Sequence, residues 1–113
     1  MNPRIESLEK MLGGPRDGAL LRFSLGNEFL KAGDPAKAGK CFQEAVDRDS
    51  QYSAAWKALG KALAEAGDSA GALAAYERGI AVAEARGDIQ AAKEMKVFAK
   101  RLRSALSEAA AKT

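Results

Sequence analysis

Four basic side chains near the C-terminus have a spacing at which they could act together in binding. They are three, four and three residues apart and comprise Lys93, Lys96, Lys100 and Arg103. In a helix this spacing places all four along one side, where they could contact an acidic partner, either a protein or a phosphate backbone. An ordinary solvated face explains the same pattern. We favour that interpretation because no nucleic-acid recognition motif accompanies the charges.

The distribution of charge also singles out this segment. The chain has 113 residues and a net charge of +3. Residues 1–87 carry twelve Lys or Arg and twelve Asp or Glu, whereas residues 88–113 carry six and three. The whole positive excess therefore belongs to the last quarter of the chain.

Groups that could perform catalysis are few. The chain has a single cysteine, Cys41, and no histidine, so Ser-His and Cys-His nucleophile pairs and zinc sites with several Cys or His ligands are excluded. The Gly13 to Gly18 segment is rich in glycine but lacks the Lys-Ser or Lys-Thr of a phosphate-binding loop. We expect no enzyme, no cofactor and no metal, and we interpret Cys41 as a small apolar side chain.

A repeated pattern predicts the elements that position these side chains. The same register returns 34 positions apart, as Arg22, Leu25, Gly26 and Phe42 in one copy and Trp56, Leu59, Gly60 and Tyr76 in the next. The glycines that end the first helix of each copy, Gly33 and Gly67, are also 34 apart. A fixed period of this length is typical of stacked helical hairpins.

Helices are also predicted on both sides of the repeat. Asn2-Pro3 can begin a short amphipathic helix that Gly13-Gly14-Pro15 ends. Gly87-Asp88 breaks the chain a third time, and the absence of another stop near Arg101 predicts one continuous helix from there to about Ala111. We expect its buried stripe to comprise Ile89, Ala92, Met95, Ala99, Leu102 and Leu106.

The two copies resemble the tetratricopeptide repeat. The residues that carry the resemblance are Leu25-Gly26, Phe29, Ala38, Phe42 and Ala45 in the first copy and Trp56, Leu59-Gly60, Ala72 and Tyr76 in the second. The resemblance implies an all-α fold, an α-solenoid of antiparallel helix hairpins. Its expected segments are a short helix and linker (1–18), two repeat units (19–52 and 53–86) and a C-terminal capping helix (87–113).

Five residues depart from the family pattern: Leu63 stands where a second large aromatic is usual, Ser50 and Glu84 stand where proline is usual, and Arg22 and Gly79 are the other two. Arg22 stands where the first large aromatic is usual, which we interpret as an N-terminal edge with less surface to cover. Gly79 stands where Ala is usual, and on helix propensity it should cost its helix roughly 1 kcal/mol relative to Ala.

The resemblance also implies a groove that binds an extended peptide. Carried over by position, its side chains here would be Phe23, Asn27, Leu30, Tyr52, Lys57 and Lys61. Lys57 and Lys61, one turn apart, could with Asn27 receive a carboxylate or a peptide carbonyl. Two solvated lysines are the alternative. The subgroup that grips chaperone tails is not matched, since of its five clamp positions only Asn27 agrees.

Three functions remain open at this point. We favour a non-catalytic interaction scaffold that binds a peptide or helix of another protein in the groove. A self-associating structural subunit, a homo-oligomer, is the second hypothesis, and binding of an acidic polymer such as nucleic acid through the last helix is the least favoured. No stretch is apolar enough to span a membrane and no secretory signal is visible, so we expect a cytoplasmic protein.

Overall fold

Helices make up all the regular secondary structure of the described chain. The computed structural model describes residues 2–112, so the outermost residues of the predicted segments 1–18 and 87–113 lie outside the described residues. The described helices are α1 (Pro3–Glu9), α2 (Ala19–Lys31), α3 (Pro35–Arg48), α4 (Ser53–Glu65), α5 (Ser69–Ala85) and α6 (Ile89–Ala111). Each helix packs against the next in the chain. The predicted all-α fold, an α-solenoid, is confirmed.

Three turns of the same construction connect α2 to α3, α4 to α5 and α5 to α6. Each has a glycine at positive φ followed by an aspartate, namely Gly33-Asp34 (φ 81°), Gly67-Asp68 (φ 89°) and Gly87-Asp88 (φ 76°). Each aspartate N–H donates to a carbonyl of the preceding helix at 2.8 or 2.9 Å. The aspartate carboxylate accepts an N–H of the next helix. Both helix ends are thereby satisfied, as the sequence predicted.

An aromatic ring set against a glycine joins the two helices of each hairpin. A Cβ added to Gly26 would lie 2.6 Å from Cδ1 of Phe42, and one added to Gly60 would lie 2.7 Å from Cδ1 of Tyr76. Both rings are buried. Trp56 is also buried, as predicted, and its indole N–H donates to the Ser50 carbonyl at 2.8 Å. Phe42 and Trp56 belong to the core of the two repeat units, and Tyr76 belongs to the core that α5 shares with α6.

The last helix covers the end of the stack. It is continuous through Arg101, as predicted, and Ala92, Met95 and Ala99 are buried on it. The prediction that Ile89 belongs to the buried stripe is wrong, because its side chain is 64% exposed. Ile89 is the first residue of α6 and directly follows the turn, four positions after α5 ends at Ala85.

The first helix packs on the first hairpin. Asn2 caps it by accepting the N–H groups of Arg4 and Ile5 at 3.0 and 3.3 Å. The helix ends at Glu9 and is therefore shorter than the ten or so residues expected. Ile5 and Leu8 are half-buried, and α1 contacts α2.

Arg22 holds the linker between α1 and α2. Its Nε and Nη2 atoms donate to the two carboxylate oxygens of Asp17 at 3.0 and 2.8 Å, and its Nη1 lies 3.2 Å from Glu44 on α3. Asp17 also accepts the N–H of Gly13 at 2.9 Å. The residue that departs from the aromatic pattern thus fixes the linker to two helices. The hydrogen bond from Arg22, followed by that from Gly13, lowers the pKa of Asp17 to about 2.

Acid titration tests this role of Asp17. Because its pKa is lower in the folded chain than the ordinary 3.8, Asp17 stabilises the fold above about pH 4, and the contribution is lost as the pH falls through about 2. The melting temperature of the Asp17→Asn variant should therefore be below that of the wild type at pH 7, and the gap should close between pH 4 and 2. Glu108→Gln, at an exposed position, is the matched charge-removing control and should leave the melting temperature at pH 7 nearly unchanged. A gap for Asp17→Asn that persists at pH 2 would contradict this role.

Gly79 is required by packing, which helix propensity alone does not reveal. A Cβ at this position would lie 2.5 Å from the Met95 sulfur and 2.8 Å from Cβ of Trp56. The Trp56 Cβ is attached to the backbone and cannot move aside, while Met95 is flexible but fully buried and would have to repack within the core. At Gly39, by contrast, an added Cβ would meet only Leu63 and Ala62 at 3.7 and 3.9 Å.

Alanine at the two positions should therefore have opposite effects. Gly79→Ala should lower the free energy of unfolding by about 1–3 kcal/mol through overpacking. Gly39→Ala should raise it by about 0.4–1 kcal/mol, because the unfolded chain loses freedom and no clash offsets that gain. Urea unfolding of both variants checks this difference. An equal increase in the free energy of unfolding for both variants would show that helix propensity, and not packing, determines the effect of alanine at Gly79.

Candidate binding groove

One groove runs between the helices that face the same side of the stack. It encloses about 610 Å³ and is lined by residues from α2, α4, α5 and α6: Asn27, Leu30, Ala54, Lys57, Ala58, Lys61, Ala64, Glu65, Tyr76, Glu94 and Phe98. Four of the predicted groove residues are among them: Asn27, Leu30, Lys57 and Lys61. These four residues, which the family resemblance implied, lie on α2 and α4, and the last helix supplies a further wall.

The floor of the groove is mostly apolar. Phe98 on α6 stacks against Tyr76 of α5, with ring centroids 5.5 Å apart and an angle of 36° between the rings. Burial, and secondarily the charge of Glu65, raises the pKa of Tyr76, so it stays neutral at physiological pH. Leu30 and three alanines of α4 complete this surface. An apolar side chain of a ligand would find aromatic and aliphatic contacts there.

An ion pair joins two walls of the groove. The Lys57 ammonium on α4 donates to the Glu94 carboxylate on α6, and Gln90 donates to the other oxygen of Glu94 at 3.2 Å. These two hydrogen bonds, that from Lys57 foremost, lower the pKa of Glu94. The sequence suggested that Lys57 could bind a ligand carboxylate. In the structure Lys57 is already paired with Glu94 of the same chain.

Sequence reasoning missed Glu94. The repeat gives no template for it, since the residue 34 positions earlier is Gly60. Its side chain reaches the groove because α6 turns Ala92 and Met95 towards the core and leaves Glu94 and Phe98 on the groove side. The sequence did contain a signal for this position: the expected buried stripe at Ala92, Met95 and Ala99 leaves Glu94 off the buried face of the same helix.

Lys61 remains available in the groove. It is exposed, and no ion pair to it occurs within residues 2–112. Asn27 lies across from it on α2, and Lys61, Asn27 and Leu30 line one further recess. Lys61 and Asn27, two of the side chains suggested to receive a carboxylate or carbonyl of a ligand, thus line the same recess.

Phe23 and Tyr52 lie together beside the groove. Their ring centroids are 4.9 Å apart, and Phe23 also lies 5.7 Å from the buried ring of Phe42. Both are half-buried and pack on the core. Phe23 and Tyr52 therefore pack against each other where the two repeat units meet, and neither is among the residues that line the groove.

Comparison with known proteins agrees with the pattern of helices and turns. The family model described as "Tetratricopeptide repeat" matches residues 23–96. The chain belongs to the tetratricopeptide repeat family. A TPR repeat-containing protein of Pseudomonas aeruginosa is 54% identical over 98 residues, which cover 87% of this chain and 93% of that protein.

Two solved structures are also similar to this tetratricopeptide repeat chain. The solution structure of a protein from Bordetella parapertussis is 44% identical, with a TM-score of 0.77, and the match covers 92% of this chain and 90% of the other. A tetratricopeptide repeat domain protein from Salinibacter ruber is 27% identical, with a TM-score of 0.71 and coverage of 80% and 90%. Tetratricopeptide repeats are generally protein–protein interaction modules, and proteins of the family are typically non-catalytic scaffolds.

Half of the basic stripe of this tetratricopeptide repeat chain is paired within the molecule. Lys96 lies 2.9 Å from Glu84 and Arg103 lies 3.2 Å from Glu77, both on α5. Lys93 and Lys100 are exposed. These pairs reduce the charge offered to an acidic partner and favour the interpretation of the stripe as a solvated face.

Two further features bear on chemistry. Within residues 2–112, no group of three or more His, Cys, Asp or Glu side chains could hold a metal ion. None of the described helices is both long and apolar enough to cross a membrane.

Cys41 is a buried thiol on α3. Burial, followed by the charge of Glu44, raises its pKa to about 11, so it stays protonated at neutral pH and is a weak nucleophile. This agrees with its interpretation as a small apolar side chain.

The reactivity of Cys41 should depend on folding. At pH 8, the reaction of the folded chain with Ellman's reagent should be at least about tenfold slower than that of the urea-unfolded chain, because the folded thiol is both buried and protonated. Absorbance at 412 nm follows the reaction. Equal rates in both states would contradict a buried thiol of raised pKa.

Proposed function

We propose that the chain is a non-catalytic interaction scaffold that binds a peptide or helix of another protein in the groove between α2, α4 and α6. The observation that carries this proposal is the groove itself, which has an apolar floor at Leu30, Tyr76 and Phe98 and polar side chains along its edges. Concave sites with this composition are the usual binding surfaces of proteins. The general role of the repeat family supports the same function.

The expected binding free energy requires that a ligand places several apolar side chains in the groove. Burial of one large apolar side chain contributes about 1.5–3 kcal/mol, and micromolar affinity requires about 8 kcal/mol. Three or four such contacts give about 5–12 kcal/mol before costs, and association alone subtracts at least about 4 kcal/mol, so the groove supports micromolar binding at best and weaker binding for shorter segments. Asn27 and Lys61 would then orient the segment through hydrogen bonds to its backbone or acidic groups.

Self-association is a second candidate. Leu20 on α2 is 68% exposed and Ile89 on α6 is 64% exposed, and exposed apolar side chains of this size favour contacts between proteins when they lie in patches. Light scattering coupled to size exclusion separates the two functions. A stable dimer that protects Leu20 from solvent would favour self-association.

Selection from a displayed peptide library tests the groove. Peptides selected on the wild type should lose at least about tenfold in affinity, or 1.4 kcal/mol, when Lys61→Glu or Ala54→Arg is introduced. Both positions are exposed, so the fold should persist, and circular dichroism verifies this. Lys93→Glu and Ala81→Arg make the same chemical changes on exposed positions outside the groove.

The two sets of variants distinguish the groove from the rest of the surface. Loss of affinity confined to the groove variants supports the proposed function. Loss with Lys93→Glu, and none with Lys61→Glu, would reject the groove and transfer binding to the basic stripe of α6.

A further inference from the structure

A second cleft adjoins the groove on the other side of α2. It encloses about 520 Å³ between α1 and α2, and the residues that line it include Ser7 and Leu8 of α1 and Ser24, Glu28 and Lys31 of α2. The match to the repeat family begins at residue 23, so α1 lies outside it. The family resemblance therefore gave no expectation of a site at α1.

Shared side chains join this cleft to the groove. Asn27 and Lys31 line both the cleft and the recess between α2 and α4. That recess in turn shares Leu30, Lys61 and Glu65 with the groove. One continuous concave surface thus crosses α6, α4, α2 and α1 in that order.

The polar groups of the cleft suit a peptide main chain. Glu28 is flanked by two cations, since its Oε1 atom lies 4.0 Å from Arg4 and its Oε2 atom lies 3.5 Å from Lys31. In the described part of the chain, residues 2–112, the hydroxyl groups of Ser7 and Ser24 make no hydrogen bond. A hydroxyl group can both donate and accept, and the N–H and C=O groups of an extended chain require both. A helical ligand has already paired those groups, so the cleft favours an extended segment.

The chain holds α1 in place as a wall of the cleft. Asn2 caps the first turn of α1, and Ile5 and Leu8 are half-buried. Arg22 fixes the linker that follows α1 through its two hydrogen bonds to Asp17. A wall that is fixed before binding costs less to order when a ligand arrives.

The distance from α1 to α6 sets the length of a segment that uses the whole surface. Packed helices have axes about 8–10 Å apart, so the three steps from α1 through α2 and α4 to α6 cover at least about 24 Å. An extended chain advances about 3.3 Å per residue and needs at least about seven residues to cross it. A helix of about seven residues would span only about 10 Å.

We propose that α1 is a wall of the binding site, and that the site takes an extended peptide segment of at least about seven residues. Apolar side chains at one end of the segment contact the stacked rings of Phe98 and Tyr76. The main chain at the other end lies between α1 and α2 and bonds to Ser7 and Ser24. This inference rests on the proposed function, to which it adds the extended form, the minimum length and the α1 end.

Spin labels on a bound peptide locate its two ends. The probe is the tightest-binding twelve-residue peptide selected on the wild type from a displayed library, synthesised with a nitroxide at its first or at its last residue. Each labelled peptide is added to the ¹⁵N-labelled full chain. One label should broaden the amide signals of Ser7 and Leu8 in α1, and the other label should broaden that of Phe98 in α6.

A variant in the cleft tests whether α1 contributes to affinity. On the wild type, removal of the three peptide residues at the α1 end should weaken binding about two- to tenfold, the range for one net hydrogen bond. Ser7→Arg, at an exposed position, fills the cleft, so the full and shortened peptides should bind to it equally. Ser107→Arg makes the same change at an exposed position of α6 outside both the cleft and the groove. It should keep the wild-type difference between the two peptides.

Three results would overturn the inference. They are labels of which neither broadens the α1 signals, a cost of shortening that is the same on Ser7→Arg as on the wild type, and Cα chemical shifts of a helix in the bound peptide. In each case, a peptide that loses affinity with Lys61→Glu and Ala54→Arg leaves the proposed function standing. A peptide that ignores those two variants rejects the proposed function itself.

Discussion

Contact between an aromatic ring and a facing glycine sets the distance between the helices of each hairpin. Phe42 and Tyr76 lie against Gly26 and Gly60 so closely that an added methyl group would enter the ring. Helices can approach to this extent only where one of them lacks a side chain. The position of α4 relative to α5 follows from it, and so does the place where the Tyr76 ring emerges between α4 and α6 to form part of the groove floor.

The last helix has two structural roles that are separated by its faces. Ala92, Met95 and Ala99 face the core and cover the end of the stack, while Glu94 and Phe98 form a wall of the groove. Polar side chains on the remaining surface form ion pairs back to α5 or are exposed. One helix thus shields the core from water and also determines the charge of the groove.

The sequence predicted what local chemistry and the 34-residue period determine. Gly33-Asp34, Gly67-Asp68 and Gly87-Asp88 specify their turns from the residues themselves, because positive φ and an aspartate cap are properties of those side chains. The selection of Asn27, Leu30, Lys57 and Lys61 as groove residues was an implication of the family resemblance, and these four line the groove described above.

Contacts outside the repeat could not be predicted in the same way. The pairing of Arg22 with Asp17 depends on the path of a linker that has no second copy. The pairing of Lys57 with Glu94 depends on the rotation of α6, which packing fixes rather than the period. Gly79 appeared to be a weak point of its helix because propensity takes no account of Met95 and Trp56, which lie against it in three dimensions.

The Gly87-Asp88 turn has the construction of the turns within the two units, yet it joins a unit to the capping helix. Helix α5 is therefore a member of two hairpins, one with α4 and one with α6, and it packs along both partners. In a linear array whose elements contact only their neighbours, such a shared element couples the two sides. Local opening that begins at the free end of α6 must pass through α5 before it reaches most of α4, so the backbone amides of α5 should exchange with solvent later than those of the last turns of α6.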